Sequence, residues 1–460
     1  MSKSKKPRST MDFPVINYDA AGVDIGAECI YIAVPPDRSE REVRSFRTFT
    51  PDLREAASWM LQCGVKTVAM ESTGVYWIPF FQILEDNGIT VFLVNARQVK
   101  NVPAAFKTDR RDSKWLRNLH AVGLLSTSFR PEQAVCTIRS ITRYRDALVK
   151  SGSRHVLHMQ KALSQMNVLV HEVLTDITGV SGLAVLDAIL AGERDSEHLL
   201  RLFSKRVKAS EEEIKKALIG DWREEHLFTL KQSLASWRHF QQQIAECDDQ
   251  ILHLLSEYEP APLPPQDPPV SSGPGEPKQP RTARQAMHDR DRNKVNRLKL
   301  IFGVDLTAIP AIAVGLAERI FTEVGPDLSR FPTANHFASW LGLAPNNSES
   351  GGKVLSRKTR RLANRLAMQL RLAATSLSRG VSYLAAYLRK MKARLGAPKA
   401  ITATAHKLAR IIYTIITTKQ PYDESVFAKQ QIRYQEQRLN HLKREAAAFG
   451  YEVVQKGFVS

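Results

Sequence analysis

Cysteine is scarce in this chain: four residues in 460, Cys29, Cys63, Cys136 and Cys247, with no C-x-x-C pair among them. That spacing gives neither a zinc ribbon nor a disulfide framework and fits a reducing compartment. Long hydrophobic runs are missing too. The first residues, Met-Ser-Lys-Ser-Lys-Lys-Pro-Arg, carry charge but no apolar export core, and the most apolar late segment, Ile401 to Thr418, is interrupted by His406, Lys407 and Arg410. The expectation is a cytoplasmic, nucleoid-associated protein with no membrane span. Acidic residues are in deficit, 47 against 66 Lys and Arg, and the net charge of +19 favours a polyanion partner. The rest of the composition, 43% hydrophobic and 25% charged, is that of a globular chain long enough for two or three domains.

The chain is organised around Lys107-Thr-Asp109-Arg110-Arg111-Asp112, at the mouth of a helix predicted to run to about Leu125. Asp109 and Asp112, three apart, share one helix face, while Lys107, Arg110 and Arg111 fan out around them. Hard divalent ions such as Mg2+ take oxygen ligands, and phosphodiesters need cations near their non-bridging oxygens. The mixture therefore suits metal-assisted phosphoryl transfer on nucleic acid. By itself such a pair is more often a solvated, salt-bridged first turn.

Residues 1–18 read as a basic tail. Two β-rich runs follow from Gly22, with a third at Arg44 to Thr48, a helix (Asp52 to Leu61), a strand (Thr67 to Glu71), a helix (Tyr76 to Asn87) and a strand (Thr90 to Val94). The order βββαβαβα, with acids at strand ends, is the ribonuclease H-like arrangement and sets residues 19–130 as a catalytic α/β domain. Asp24 on the first strand, Glu71 at the end of a neighbouring strand, and Asp109 with Asp112 can converge at one sheet edge. Singly, Asp24 is also readable as a turn acid beside Gly26 and Glu71 as a helix-capping residue. The ordered set of four points to a site for Mg2+ or Mn2+.

Residues 131–258 carry two long amphipathic patterns, Glu132 to about Thr175 and Trp222 to about Tyr258, able to pair as a hairpin within one chain or as a dimerising coiled coil. Shorter helices lie between them, the last opened by a Ser210/Glu213 capping box. Residues 259–295, beginning Glu-Pro-Ala-Pro-Leu-Pro-Pro, read as a Pro-rich linker. Residues 296–420 form a basic helical C-terminal domain with a helix-hairpin-helix-like segment at Leu306 to Ala317, and 421–460 a helical tail. Within the C-terminal domain, Ser350-Gly-Gly-Lys precedes Ser356-Arg357-Lys358-Thr-Arg360-Arg361. Ser350 in a glycine-flanked loop, with Lys353, Arg357, Lys358, Arg360 and Arg361 close in sequence, is placed as a nucleophile beside phosphate would be, although by composition alone the segment reads as a flexible loop.

Gly-Val-Asp24-Ile-Gly, Met-Glu71-Ser-Thr-Gly-Val-Tyr-Trp, Val94-Asn-Ala-Arg and Lys107-Thr-Asp-Arg-Arg-Asp112 resemble, in order and spacing, the catalytic domain of DEDD-type insertion-sequence transposases. That family includes Piv-type invertases and bridge-RNA-guided serine recombinases. The likeness extends through Asp176 to Leu183 and Ile189 to Asp195, and again from Ile309 to about Lys419. It implies a DNA transposase or recombinase in which the acids and Ser350, rather than Ser348, form one site across a subunit interface of a homo-oligomer, a dimer or tetramer. It further implies double-stranded DNA ends and targets and a structured guide RNA. The family's glycines are replaced here by Ala311 and Ala313. Two other classes remain open at this point. An actin-like or sugar-kinase-type ATPase would share Asp24-Ile-Gly26, and a non-catalytic nucleic-acid-binding architectural protein would share the charge.

Overall fold

Asp24 stands on β1 (Ala20–Ile25), the middle strand of a five-stranded sheet ordered β3-β2-β1-β4-β5. β2 (Cys29–Ala33) and β3 (Val43–Arg47) run antiparallel, whereas β4 (Thr67–Glu71) and β5 (Thr90–Val94) continue from β1 in parallel. The parallel steps need crossovers, which α1 (Thr50–Gln62) and α2 (Trp77–Asp86) supply. Ala21, Val23, Ile30, Ile32, Val68 and Met70 bury against Leu53, Met60, Phe80 and Leu84 of those helices. The computed structural model describes residues 14–72, 74–95, 108–259, 283–351, 353–356, 358–360 and 364–453. The chain divides into two units, Met1–Arg130 and Pro131–Ser460.

In the first unit the opposite sheet face is crossed by α3 (Asp109–Ala121), which is set very close. A methyl group at Gly22 would collide with the Ser113 carbonyl and the Arg117 amide, so only glycine admits the helix at this depth. At the other end of α3, His120 Nε2 lies 2.9 Å from Thr67 Oγ1, and the Ile16 amide donates to the Ala121 carbonyl at 2.8 Å. Between these ends, Glu42 pairs with both Lys114 and Arg117, and Arg117 also donates to the Val34 carbonyl at 2.8 Å.

The second unit is mostly helical. α4 (Gln133–Gln165) ends well before the expected Thr175, at a turn where Asn167 takes a positive φ of 52°. α5 (Val180–Leu190), α6 (Ser196–Leu200) and α7 (Glu211–Leu218) follow, the last with the Ser210/Glu213 capping box formed in both directions. α8 (Glu224–Glu257) returns antiparallel along α4 within the same chain, as the Arg145–Asp248 pair and the His155–Phe240 ring contact show. The hairpin is thus intramolecular.

α9 (Ala283–Phe302) opens inside the stretch read as linker; residues 260–282 of that stretch lie outside the described residues. A buried ionic lattice joins α9 and α10 (Val314–Val324) to the hairpin. Lys294, 5% exposed, donates to Asp248 at 2.6 Å and Glu318 at 3.0 Å, while Arg319 holds Asp146 through two bonds. Desolvation works against the Asp248 carboxylate, yet hydrogen bonds from Arg145 and Lys294 hold it below the usual carboxylate range. Before α10, where the sequence suggests a helix-hairpin-helix-like segment, the chain makes a 3-10 turn, Leu306–Ala308, and Ala311 adopts the left-handed φ of 70° that glycine would take without strain. α11 (Ala334–Trp340), a two-stranded hairpin, then α12 (Arg365–Ser376), α13 (Tyr383–Leu395), α14 (Ala397–Thr418) and α15 (Ala428–Ala448) complete the chain. Among the described residues no helix is long and apolar enough to cross a membrane.

Candidate active site

Strand register brings Asp24 and Glu71 together. β1 and β4 pair in parallel with Val23 opposite Met70, so the next residues, Asp24 and Glu71, stand side by side at the carboxyl ends of adjacent strands. Side chains alternate along a strand. Asp24 therefore shares a face with Gly22, which meets Ser113 and Arg117, and Glu71 shares one with Thr67, which meets His120. Both acids face α3.

α3 runs against the strand direction, from Asp109 over the carboxyl ends to His120 over the amino ends. Its first turn holds Asp109, one turn before Ser113, and Asp112, the residue next to Ser113, and thus arrives over Asp24 and Glu71. Two acids near a helix N-terminus are favourable for the helix itself, where unpaired amides leave partial positive charge. For Asp24 they are unfavourable. Desolvation first, and then the charges of Asp109, Asp112 and Glu71, push its carboxyl up to about 6. The other three acids expected from the sequence therefore act on Asp24, although among the described residues no three carboxylates, histidines or cysteines are gathered tightly enough to hold a metal ion.

The basic residues fare differently. Arg110 and Arg111, in the same first turn as Asp109 and Asp112, are exposed, while Lys107 lies outside the described residues. In the second unit, Ser350 ends β6 (Ser348–Ser350), which pairs with β7 (Lys353–Ser356), so it stands in a β-hairpin rather than an irregular loop. Gly351, at φ 55°, makes the turn. Ser350, Lys353 and Lys358 are exposed. Arg360 instead donates to the Ser339 carbonyl at 2.6 Å and its hydroxyl at 2.9 Å, anchoring the hairpin's base to α11. Arg357 and Arg361 lie outside the described residues. The segment after Ser356 does not open as a helix: Thr359 bridges to Pro345, and α12 begins at Arg365.

Sequence reasoning missed Glu42, Arg117 and His120, which brace α3. Their signal was weak: single polar residues in short amphipathic runs, recognisable only once α3 is laid on the sheet.

Residues 21–168 match a family model described as a transposase of the DEDD, IS110 type, and residues 305–389 match one described as Transposase IS116/IS110/IS902 family. The first spans all four acids and the second spans Ser350. The chain belongs to the IS110-type transposase family. As a member of this family it is a DNA transposase, an enzyme that acts on DNA. No curated protein matches the chain.

Proposed function

We propose that this IS110-type transposase cuts and rejoins DNA with Asp24, Glu71, Asp109 and Asp112 as a divalent-metal centre and Ser350 as the nucleophile, in a ribonuclease H-like first unit and a basic second unit. The observation that carries the reading is the register: two acids side by side at the carboxyl ends of β1 and β4, on the face where α3 delivers two more. The sheet order β3-β2-β1-β4-β5 supports the fold assignment.

The donor chemistry fits Mg2+ or Mn2+. All four groups are hard oxygen ligands, and the repulsion that raises the Asp24 carboxyl is the cost a cation would relieve. When bound, such an ion supplies charge neutralisation at the scissile phosphate and acidifies a coordinated oxygen. The chain's own residues do the rest. Arg110 and Arg111 hold phosphate oxygens beside the acids; Lys353 and Lys358 do the same beside Ser350. Ser350 Oγ forms a bond to phosphorus, the strand's P–O bond breaks, the departing sugar oxygen takes up a proton, and the serine proton passes to a carboxylate. Rejoining is the reverse reaction with a different DNA hydroxyl. The transposase works as a homo-oligomer on double-stranded element ends and targets, and a structured guide RNA directs it. Neither alternative class competes: an architectural protein has no use for four facing acids, and an ATPase would need adenosine and phosphate loops that the chain lacks.

Metal binding is testable without turnover. Mn2+ titrated into metal-free protein should raise the melting temperature of the wild type and leave that of Asp24→Asn and Glu71→Gln unmoved. An equal rise in all three proteins removes the metal assignment. Specific recombination that survives complete RNase treatment removes the guide RNA.

A further inference from the structure

Far along the chain from the acids and Ser350, α14 carries a cavity of about 310 Å3 between itself and the segment that follows it. Ile411 and Ile415 form an apolar floor, Tyr422 and Val426 the facing wall, and Lys407 and Arg410 the rim, with Asp423 on the side of the following segment. The segment is fastened rather than loose. Lys419 ends α14 at a positive φ of 56° and donates to the Phe302 carbonyl at 3.0 Å, and Glu424 accepts from the Tyr383 amide at the start of α13.

The lining carries more positive than negative charge, Lys407 and Arg410 against Asp423, whose carboxylate accepts from the Ser425 amide and hydroxyl. His406, Lys407 and Arg410 crowd one helix, and among the described residues no carboxylate forms a salt bridge with Arg410. The Lys407 ammonium lies 5.6 Å from the centre of the Tyr383 ring and 5.9 Å from that of Tyr387. Desolvation and then Arg410 lower its proton affinity, and desolvation, then Arg410 and Lys407, lower that of His406. Like charges held together in this way are stabilised when an anion joins them. An apolar floor with an aromatic wall and two cations at its mouth suits an unstacked nucleobase with its phosphate outside. The volume is at the small end for ligand sites, as a single nucleotide requires.

We infer that the groove between α14 and residues 420–426 binds one unstacked nucleotide of a single-stranded nucleic acid, base against Ile411, Ile415 and Tyr422, phosphate at Lys407 and Arg410. The inference rests on reading the protein as a nucleic-acid enzyme but not on the acids or on Ser350. DNA and RNA share the recognised chemistry, and the experiment separates them.

Full-length protein is titrated with labelled oligo(dT), oligo(U) and an abasic strand of equal length, which keeps the phosphates and removes the bases. Wild type should prefer the base-bearing strands to the abasic one by about tenfold, the stronger of the two identifying the source. Thr414→Trp, which fills the groove from an exposed helix position, should abolish that preference, and Arg410→Ala should weaken binding of both base-bearing strands. Melting curves matching wild type establish that both variants fold. No preference for bases in the wild type, or a preference that survives Thr414→Trp, overturns the inference. Mn2+ stabilisation measured on the same variants should be unchanged, so failure here is separate from failure of the acidic centre.

Discussion

The four carboxylates sit on a sheet and a helix packed so closely that Gly22 has no room for a methyl group, whereas Ser350 ends a hairpin of three- and four-residue strands, exposed along most of its length. Like charges brought together push one another apart, so a carboxylate centre needs a frame that does not yield. The close approach at Gly22, the Glu42 bridge to Lys114 and Arg117, and the half-buried His120–Thr67 contact provide one. The nucleophile role proposed for Ser350 has a different requirement. It needs access, and a hairpin tied down at its base by Arg360 and Ser339 offers a fixed root with a free tip.

The contrast predicts unequal responses to substitution. The largest belongs to Gly22→Val, whose side chain would force α3 off the sheet; the first unit should lose about 4 kcal/mol or more and unfold near room temperature, as followed by circular dichroism. Melting indistinguishable from wild type would show that α3 tolerates displacement.

Next is the pH dependence set by His120, which is 1% exposed and pushed by burial down to about 4. The unfolded chain, with histidine near 6.5, binds more protons between those values, so stability is full above pH 6.5 and falls as pH drops toward 4. The loss should reach about 3 kcal/mol and vanish in His120→Gln. Denaturant unfolding at a series of pH values measures it.

A smaller effect, of opposite sign, is expected at the acids. The Asp24 carboxyl is raised in the folded protein, so the stability it contributes is present below pH 3.8 and lost as pH rises through about 6. Asp24→Asn should therefore stabilise metal-free protein at pH 7.5 by about 1 kcal/mol, after allowing for solvent screening of a half-buried group. Destabilisation would mean that the acids are not a repelling set.

The smallest changes concern backbone conformation in the second unit. Ala311→Gly should add about 0.5–1 kcal/mol by relieving the left-handed alanine, while Gly351→Ala should cost about 1 kcal/mol locally and leave the melting midpoint of the chain unchanged. Hydrogen exchange at the hairpin amides distinguishes local from global loosening.

The N-terminal architecture was legible because each signal was local: alternating apolar runs for the strands, crossover helices between them, and acids at strand ends. The tetrad could be ordered from the sequence, but its convergence depends on Gly22, whose requirement appears only when α3 lies against it. The second unit was less legible. The capping box at Ser210 and the boundaries of α8 follow from local patterns, whereas β6 and β7 are too short to show alternation, and Lys294 lies in a polar run that gives no hint of burial. His406, Lys407 and Arg410 were noticed only as charges interrupting an apolar helix. Their relation to Tyr383 and Tyr422 is tertiary.

The central claim is that the acids and Ser350 serve one reaction, and a denaturing gel of end-labelled element DNA incubated with protein and Mg2+ tests it most directly. Wild type should carry label into a covalent protein–DNA band; Ser350→Ala and Asp109→Asn should bind the DNA yet give no band. A band that persists in Ser350→Ala, or that is lost only in Ser348→Ala, would contradict the account.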